Sequence, residues 1–159
     1  MTEKLVIASN NKGKISELTE LLAPLGITPV AQGQLGVSEA EEPAVTFVEN
    51  AILKARHAAR ETGLPALADD SGITIDGLNG APGVHTADWA EVDGGRDFIK
   101  AVSRARNELN ARNVPEPWLA QFRCTLVLAW PDGNDEVFEG VMPGRVVWPM
   151  RGEQGHAYD

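Results

Sequence analysis

The stretch Leu64-Pro-Ala-Leu-Ala-Asp-Asp-Ser-Gly-Ile-Thr-Ile-Asp-Gly-Leu78 places two adjacent carboxylates, Asp69 and Asp70, at the end of a short apolar run. An apolar run of this length, opened by Pro65, fits a buried strand. Carboxylates at the end of such a strand lose water, which is costly unless a cation or hydrogen-bond donor answers them. Neighbouring strand residues point to opposite faces, so only one of the pair reaches a given ligand. The competing reading makes Asp-Asp-Ser-Gly a hydrogen-bonded turn before a second β-like run, Ile73 to Ile75.

Upstream, residues 4–8 read as a buried first strand, and Ser9-Asn-Asn-Lys-Gly-Lys14 follows with no apolar residue. Ile15, Leu18, Leu21, Leu22 and Leu25 then recur at helical spacing, with Gly26 as the stop. The polar loop therefore meets a helix N-terminus, where free N–H groups and the helix dipole favour an anion. Lys14 in the first turn opposes that dipole unless a phosphate occupies the site. A solvated loop that merely contains lysines is the other reading, because the glycine spacing of a P-loop is missing.

Residues 28–31 form a candidate second strand, and residues 32–43 an acidic connection ending in Glu39-Ala-Glu-Glu42. Thr46-Phe-Val-Glu49 matches a capping box, and the helix it opens runs to about Glu61, with Gly63 as its stop. Val48, Ile52, Ala55 and Ala59 make the expected apolar stripe, while Asn50 and Lys54, spaced i,i+4, lie away from it. Lys54 is either a snorkelling surface lysine or one aimed into a cleft. Farther on, residues 77–85 read as a loop, 97–112 as a helix, 113–117 as a linker, 121–130 as a strand, 131–134 as its turn and 136–141 as the returning strand, with another strand at 146–149. His57 and His85 have no partner spacing and read as structural or surface residues.

Composition narrows the function classes. A chain of 159 residues suits one domain. The net charge of −9, from 14 Lys+Arg against 23 Asp+Glu, disfavours broad binding to nucleic acid. A polyanion then needs placed lysines, and Lys4, Lys12, Lys14 and Lys54 all fall in the first third. No apolar run is long enough to span a membrane, and residues 1–8 are too short and polar for a secretory signal. The single cysteine, Cys124, lies in an apolar run and reads as a buried free thiol suited to a reducing cytoplasm.

Four segments in series resemble the inosine/xanthosine triphosphate pyrophosphatase family. They are Ala8-Ser-Asn-Asn-Lys-Gly-Lys-Ile-Ser-Glu-Leu18, Thr46-Phe-Val-Glu-Asn-Ala-Ile-Leu-Lys-Ala-Arg56, Ala68-Asp-Asp-Ser-Gly-Ile73 with Gly80-Ala-Pro-Gly83, and Gly152-Glu-Gln-Gly-His-Ala-Tyr-Asp159. The resemblance implies a single α/β domain over residues 1–159, with an elongated mixed sheet, helices on its faces, and a nucleotide cleft between two lobes. It implies Mg²⁺-dependent cleavage of ITP, dITP or XTP to the monophosphate and pyrophosphate, in a cytoplasmic homodimer with no nucleic-acid or membrane partner. By that resemblance Ser9, Asn10, Asn11, Lys12, Gly13 and Lys14 cradle the triphosphate, and Lys54 is a second phosphate lysine. Glu42 and Asp70 hold the metal, with Asp70 also a candidate general base, Ser71 touches substrate, and His156, Ala157, Tyr158 and Asp159 border the base. His156-Ala157 stands where the family often has Phe-Gly. The family's chain continues past Tyr-Asp to a lysine and a Ser-His-Arg element that recognises the purine 6-oxo group, for which this sequence supplies no residues. A nucleotide-binding module without turnover and a phosphohydrolase of loose base preference are the alternatives.

Overall fold

The computed structural model of the chain describes residues 3–151 and Tyr158. Five strands form one mixed sheet in the order β2-β1-β3-β6-β7, and the chain divides into two compact units. The first unit comprises Met1–Asp70 and Thr125–Glu139. It contains β1 (Glu3–Ile7), α1 (Lys12–Leu22), β2 (Ile27–Ala31), α2 (Phe47–Thr62) and the first half of β3 (Ala66–Ile75). β1 pairs in parallel with β2 on one side and with β3 on the other, Val6 opposite Ala66 and Ile7 opposite Leu67. The chain thus steps one way from β1 to β2 and back the other way to β3. Right-handed crossovers in opposite directions put α1 and α2 on opposite faces of the sheet.

The side chains follow that division with a period of two. Leu5, Ile7 and Leu67 pack with Ile15, Leu18 and Leu22 of α1. Val6, Ala8, Ala66 and Ala68 pack with Ala51, Ala55, Ala58 and Ala59 of α2. The buried stripe of α2 is therefore rotated from the expected one: Ala51 and Ala58 are fully buried, and Val48 is only half-buried. Alanine dominates because the helix lies close to the sheet, and small residues carry too little hydrophobicity to mark that face in sequence.

Both caps of α2 use the expected chemistry. The Thr46 hydroxyl accepts from the Glu49 N–H at 3.2 Å, and Gly63 ends α2 in the left-handed region at φ 69°. Thr46→Ala is expected to cost about 1 kcal/mol, read as a lower midpoint in urea denaturation; an unchanged midpoint would remove the cap from the account.

Asp-Asp-Ser-Gly is not a turn. β3 runs unbroken from Ala66 to Ile75, because pairing with β1 fixes its extended start before the local preference of Asp, Ser and Gly acts. β6 (Trp118–Ala129) and β7 (Asp135–Val146) form a hairpin closed by Trp130 N–H to Asn134 O at 2.9 Å. β7 takes in Val146, so the separate strand expected at 146–149 does not exist. Cys124 is exposed, not buried: Leu126 and Leu128 on its own face of β6 pack into the α1-side cluster, and Cys124 lies before that cover begins.

The second unit comprises Ser71–Cys124 and Gly140–Asp159. Its core is Ile73, Ile75, Leu78, Trp89, Leu109 and Trp118. A small hairpin, β4 (Glu91–Val92) with β5 (Gly95–Arg96), precedes α3 (Phe98–Ala111). Asp97 caps α3, accepting from the Lys100 N–H at 3.2 Å. Gly77 is required by close packing, since a Cβ there would lie 2.7 Å from Leu109 Cδ2 and 2.8 Å from Val114 Cγ1. Among the described residues, no helix is long and apolar enough to cross a membrane.

Candidate functional site

The reversal of strand order in the first unit creates a switch point, and ligands in open α/β sheets bind outside the carboxyl ends of strands at such a point. β1 stops at Ile7, where the Ala8 N–H still donates to Leu67 O at 2.9 Å. β3 continues past it through Ala68 to Asp69 and Asp70. The alternation that sorts the core sorts these carboxylates too. Asp69 turns to the α1 face, where Lys14 Nζ lies 2.7 Å from its Oδ2. Asp70 turns to the α2 face, where Lys54, Glu42 and Asn50 surround it.

Asp70 is electrostatically the most perturbed group of the cluster. Burial pushes its carboxyl from 3.8 up to about 6. The Lys54 charge opposes that rise, Glu42 adds to it, a side-chain hydrogen bond from Asn50 lowers it, and Asp69 raises it. Its Oδ2 is buried and has no hydrogen-bond partner among the described residues. Lys54 Nζ in turn lies 2.8 Å from Glu42 Oε1, with the lysine side chain 19% exposed and the glutamate 45%. Lys54 is therefore not a snorkelling surface lysine. The rotated stripe of α2 brings it to the edge of the buried face.

Two ammonium groups against three carboxyl groups leave this cluster with one excess negative charge when Asp70 is ionised. That balance repels a polyphosphate, and a divalent cation reverses its sign. The donor set fits Mg²⁺, which takes oxygen ligands and uses one or two carboxylates plus water and substrate phosphates. Asp70 Oδ2 supplies an unanswered buried oxygen, and Glu42 approaches the same cluster from the loop before α2. No group of three or more His, Cys, Asp or Glu side chains among the described residues forms a complete cage.

The loop from Ser9 to Lys14 differs from expectation in one respect. The N–H groups at the start of α1 are not free: Asn11 Oδ1 accepts from Gly13 N–H at 3.0 Å and from Lys14 N–H at 3.3 Å. The Asn11 N–H donates to Ser9 Oγ at 3.0 Å. Asn10 Oδ1 accepts from Gln32 Nε2 at 3.4 Å, and Gln32 is buried. Asn11 is thus a helix cap, and the side chains of Ser9, Asn10 and Asn11 hold the loop's shape. Lys12 opens α1 and is exposed, as is Gly13.

Of the remaining expected residues, Ser71 is half-buried on β3 in the second unit. Tyr158 belongs to that unit as well, edge-on to Phe98 at 5.7 Å with its hydroxyl donating to Thr86 O at 2.8 Å. Burial pushes its phenol up to about 12, against the Arg104 charge. It lines a cavity of about 220 Å³ with Ile73, Ile75, Phe122, Met142 and Val146. His156, Ala157 and Asp159 lie outside the described residues. Sequence reasoning missed Asn50 and Gln32 as parts of the site. Only the i,i+4 spacing of Asn50 to Lys54 pointed toward the first, and nothing pointed toward the second.

Residues 5–159 match the Ham1 family. The dITP/XTP pyrophosphatase of Ruegeria pomeroyi is 60% identical over 157 residues, covering 99% of this chain and 77% of the relative. That of Agrobacterium fabrum is 50% identical over 161 residues, covering 99% and 75%. Among solved structures, a HAM1 protein from Coxiella burnetii superposes with a TM-score of 0.90 at 39% identity, covering 99% of this chain and 80% of that one. The Staphylococcus aureus Ham1 protein gives 0.85 at 32% identity, covering 99% and 79%.

Proposed function

The chain belongs to the Ham1 family, and from that premise we propose that it hydrolyses non-standard purine nucleoside triphosphates such as dITP and XTP to the monophosphate and pyrophosphate. The observation that carries this reading is Asp70, a buried carboxylate with an unanswered oxygen, facing Lys54 and Glu42 at the switch point of a parallel sheet.

Each residue then has a physical task. Lys14 and Lys54 exchange their carboxylate partners in part for phosphate oxygens and hold the triphosphate in line. Asp70 takes a proton from water as the water oxygen bonds to the α-phosphorus and the bond to the pyrophosphate oxygen breaks. Burial raises its pKa and strengthens it as a base, a rise that a bound cation would oppose. Mg²⁺ held by Glu42 and Asp70 would supply neutralisation of phosphate charge. The capped loop from Ser9 to Lys14 keeps Lys14 at the mouth of the strands, and Ser71, with residues 156–159, belongs to the base side of the substrate. Residues 1–159 act as one such catalytic domain.

The working assembly we infer is a homodimer in the cytoplasm. Among the described residues β7 is, with β2, an edge strand of the sheet, and it exposes Phe138 and Met142, an apolar surface that a second copy would cover.

The test is product analysis with dITP and Mg²⁺. The expected result is dIMP and pyrophosphate in equal amounts, with dATP and dTTP turned over far more slowly. Direct release of orthophosphate, or equal rates on all three nucleotides, would contradict the reading.

A further inference from the structure

We propose that Asn50 is a positioning residue, which holds Glu42 at the site by clasping the glutamate's loop to α2 with its carboxamide. The proposal rests on the assignment of those two carboxylates to the metal-dependent step above.

Asn50 lies in the first turn of α2 and is only 2% exposed. Asparagine is a poor helix former, and burying its amide is costly unless every polar atom is answered. Here they are. Its Oδ1 accepts from the Ala44 N–H at 3.1 Å, and its Nδ2 donates to the Ala44 carbonyl at 3.2 Å. Ala44 is two residues from Glu42, so this two-point grip fixes the backbone that carries the glutamate. The alternative amide orientation would set N–H against N–H and oxygen against oxygen at Ala44, so the network itself fixes the rotamer.

No other residue type meets these demands. Aspartate keeps the acceptor for Ala44 N–H but loses the donor to the Ala44 carbonyl, and it adds a negative charge near Asp70. Glutamine places the amide one methylene too far. Alanine removes both contacts. Lys54 lies one helical turn beyond Asn50 and grips Glu42 itself, so a single face of α2 holds both ends of the loop's functional part. A charge held by Lys54 alone could swing with the glutamate side chain; Asn50 prevents the loop backbone from following.

The experiment compares wild type, Asn50→Asp, Asn50→Ala and, as control, Asp70→Asn on dITP over a Mg²⁺ titration. Amide hydrogen exchange of residues 42–46 is measured on the same proteins with neither metal nor nucleotide. Asn50→Asp is expected to lower kcat about 10²-fold and to raise the Mg²⁺ concentration for half-maximal rate by at least about tenfold. Its KM at saturating metal should change less than threefold, and Ala44 should stay protected because its acceptor survives. Asn50→Ala should show the same kinetic losses and fast exchange at Ala44. Normal kcat and Mg²⁺ dependence in both variants, whatever their melting temperatures, would overturn the positioning role while leaving the pyrophosphatase reading intact. A wild type inactive on dITP, or a fully active Asp70→Asn control, would instead defeat the reading on which it rests. If Asn50→Ala fails to fold, the isosteric aspartate variant decides the matter alone.

Discussion

Asp70→Asn is expected to reduce kcat on dITP by about 10²–10⁴-fold, the usual worth of a placed general base, while making the metal-free protein more stable at neutral pH. The second half of this prediction follows from the sign of its titration. Asp70 titrates near 3.8 when unfolded and at about 6 when folded, chiefly because burial disfavours its charge. The native state therefore holds the proton more tightly. The stability associated with this group is fully present below pH 4 and is lost as pH rises through about 6. Above that pH the ionised carboxylate costs on the order of 1–2 kcal/mol after allowance for its partial contact with water. The amide carries no such cost. Urea denaturation in EDTA should show the variant ahead of wild type at pH 7.5 and level with it at pH 4. A variant that is both inactive and less stable at pH 7.5 would mean that Asp70 serves the fold and not the chemistry.

The second large effect belongs to Lys54. Lys54→Met removes the cation that faces both Glu42 and Asp70. kcat/KM should fall on the order of 10²–10³-fold, as for the loss of one preorganised electrostatic group at a transition state. Its pH dependence should also move. Lys54 lowers the Asp70 pKa, so without it the acid limb of kcat/KM must shift to higher pH. Stability should suffer little, because Glu42, 45% exposed, returns to water when its partner leaves. A rate loss with an unmoved acid limb would separate Lys54 from Asp70 and confine it to phosphate binding.

Both effects trace to features that were partly legible in the chain. The alternation of Asp69 and Asp70 followed from strand geometry alone, once the stretch was read as a strand. What the sequence cannot decide is whether it is one, because Asp, Ser and Gly favour a turn, and the place of β3 between β1 and β6 overrides them. The helix-end signals at Thr46 and Gly63 match the structure because capping is local chemistry, and Gly26 ends the short 3-10 turn that follows α1. The face of α2 is hard to read because its contact with the sheet is made by alanines, whose weak hydrophobicity Val48 and Ile52 outweigh. Asn50 is hidden for a related reason: its partner Ala44 is brought to it by the fold and no spacing announces it. The exposure of Cys124 is not legible because an apolar run marks a strand without saying how far along it the cover extends.

The loop from Ser9 to Lys14 departs from expectation in the opposite sense. A polar segment before a helix reads as a set of free donors, yet Asn11 takes the Gly13 and Lys14 N–H groups for the cap. The positive charges at this end of the sheet are therefore those of Lys14 and Lys54, each matched to a carboxylate. In the proposed mechanism the lysines stay partly shielded until a cation would tip the local balance toward the anion.

That balance is the central claim, and locating the cation tests it most directly. Crystals soaked with Mn²⁺ and an imido analogue of dITP should show one strong anomalous peak within coordination distance of Asp70 Oδ2 and a Glu42 carboxylate oxygen, with Lys14 and Lys54 on the phosphates. Manganese bound elsewhere, with Asp70 still unanswered and the phosphates away from both lysines, would contradict the account.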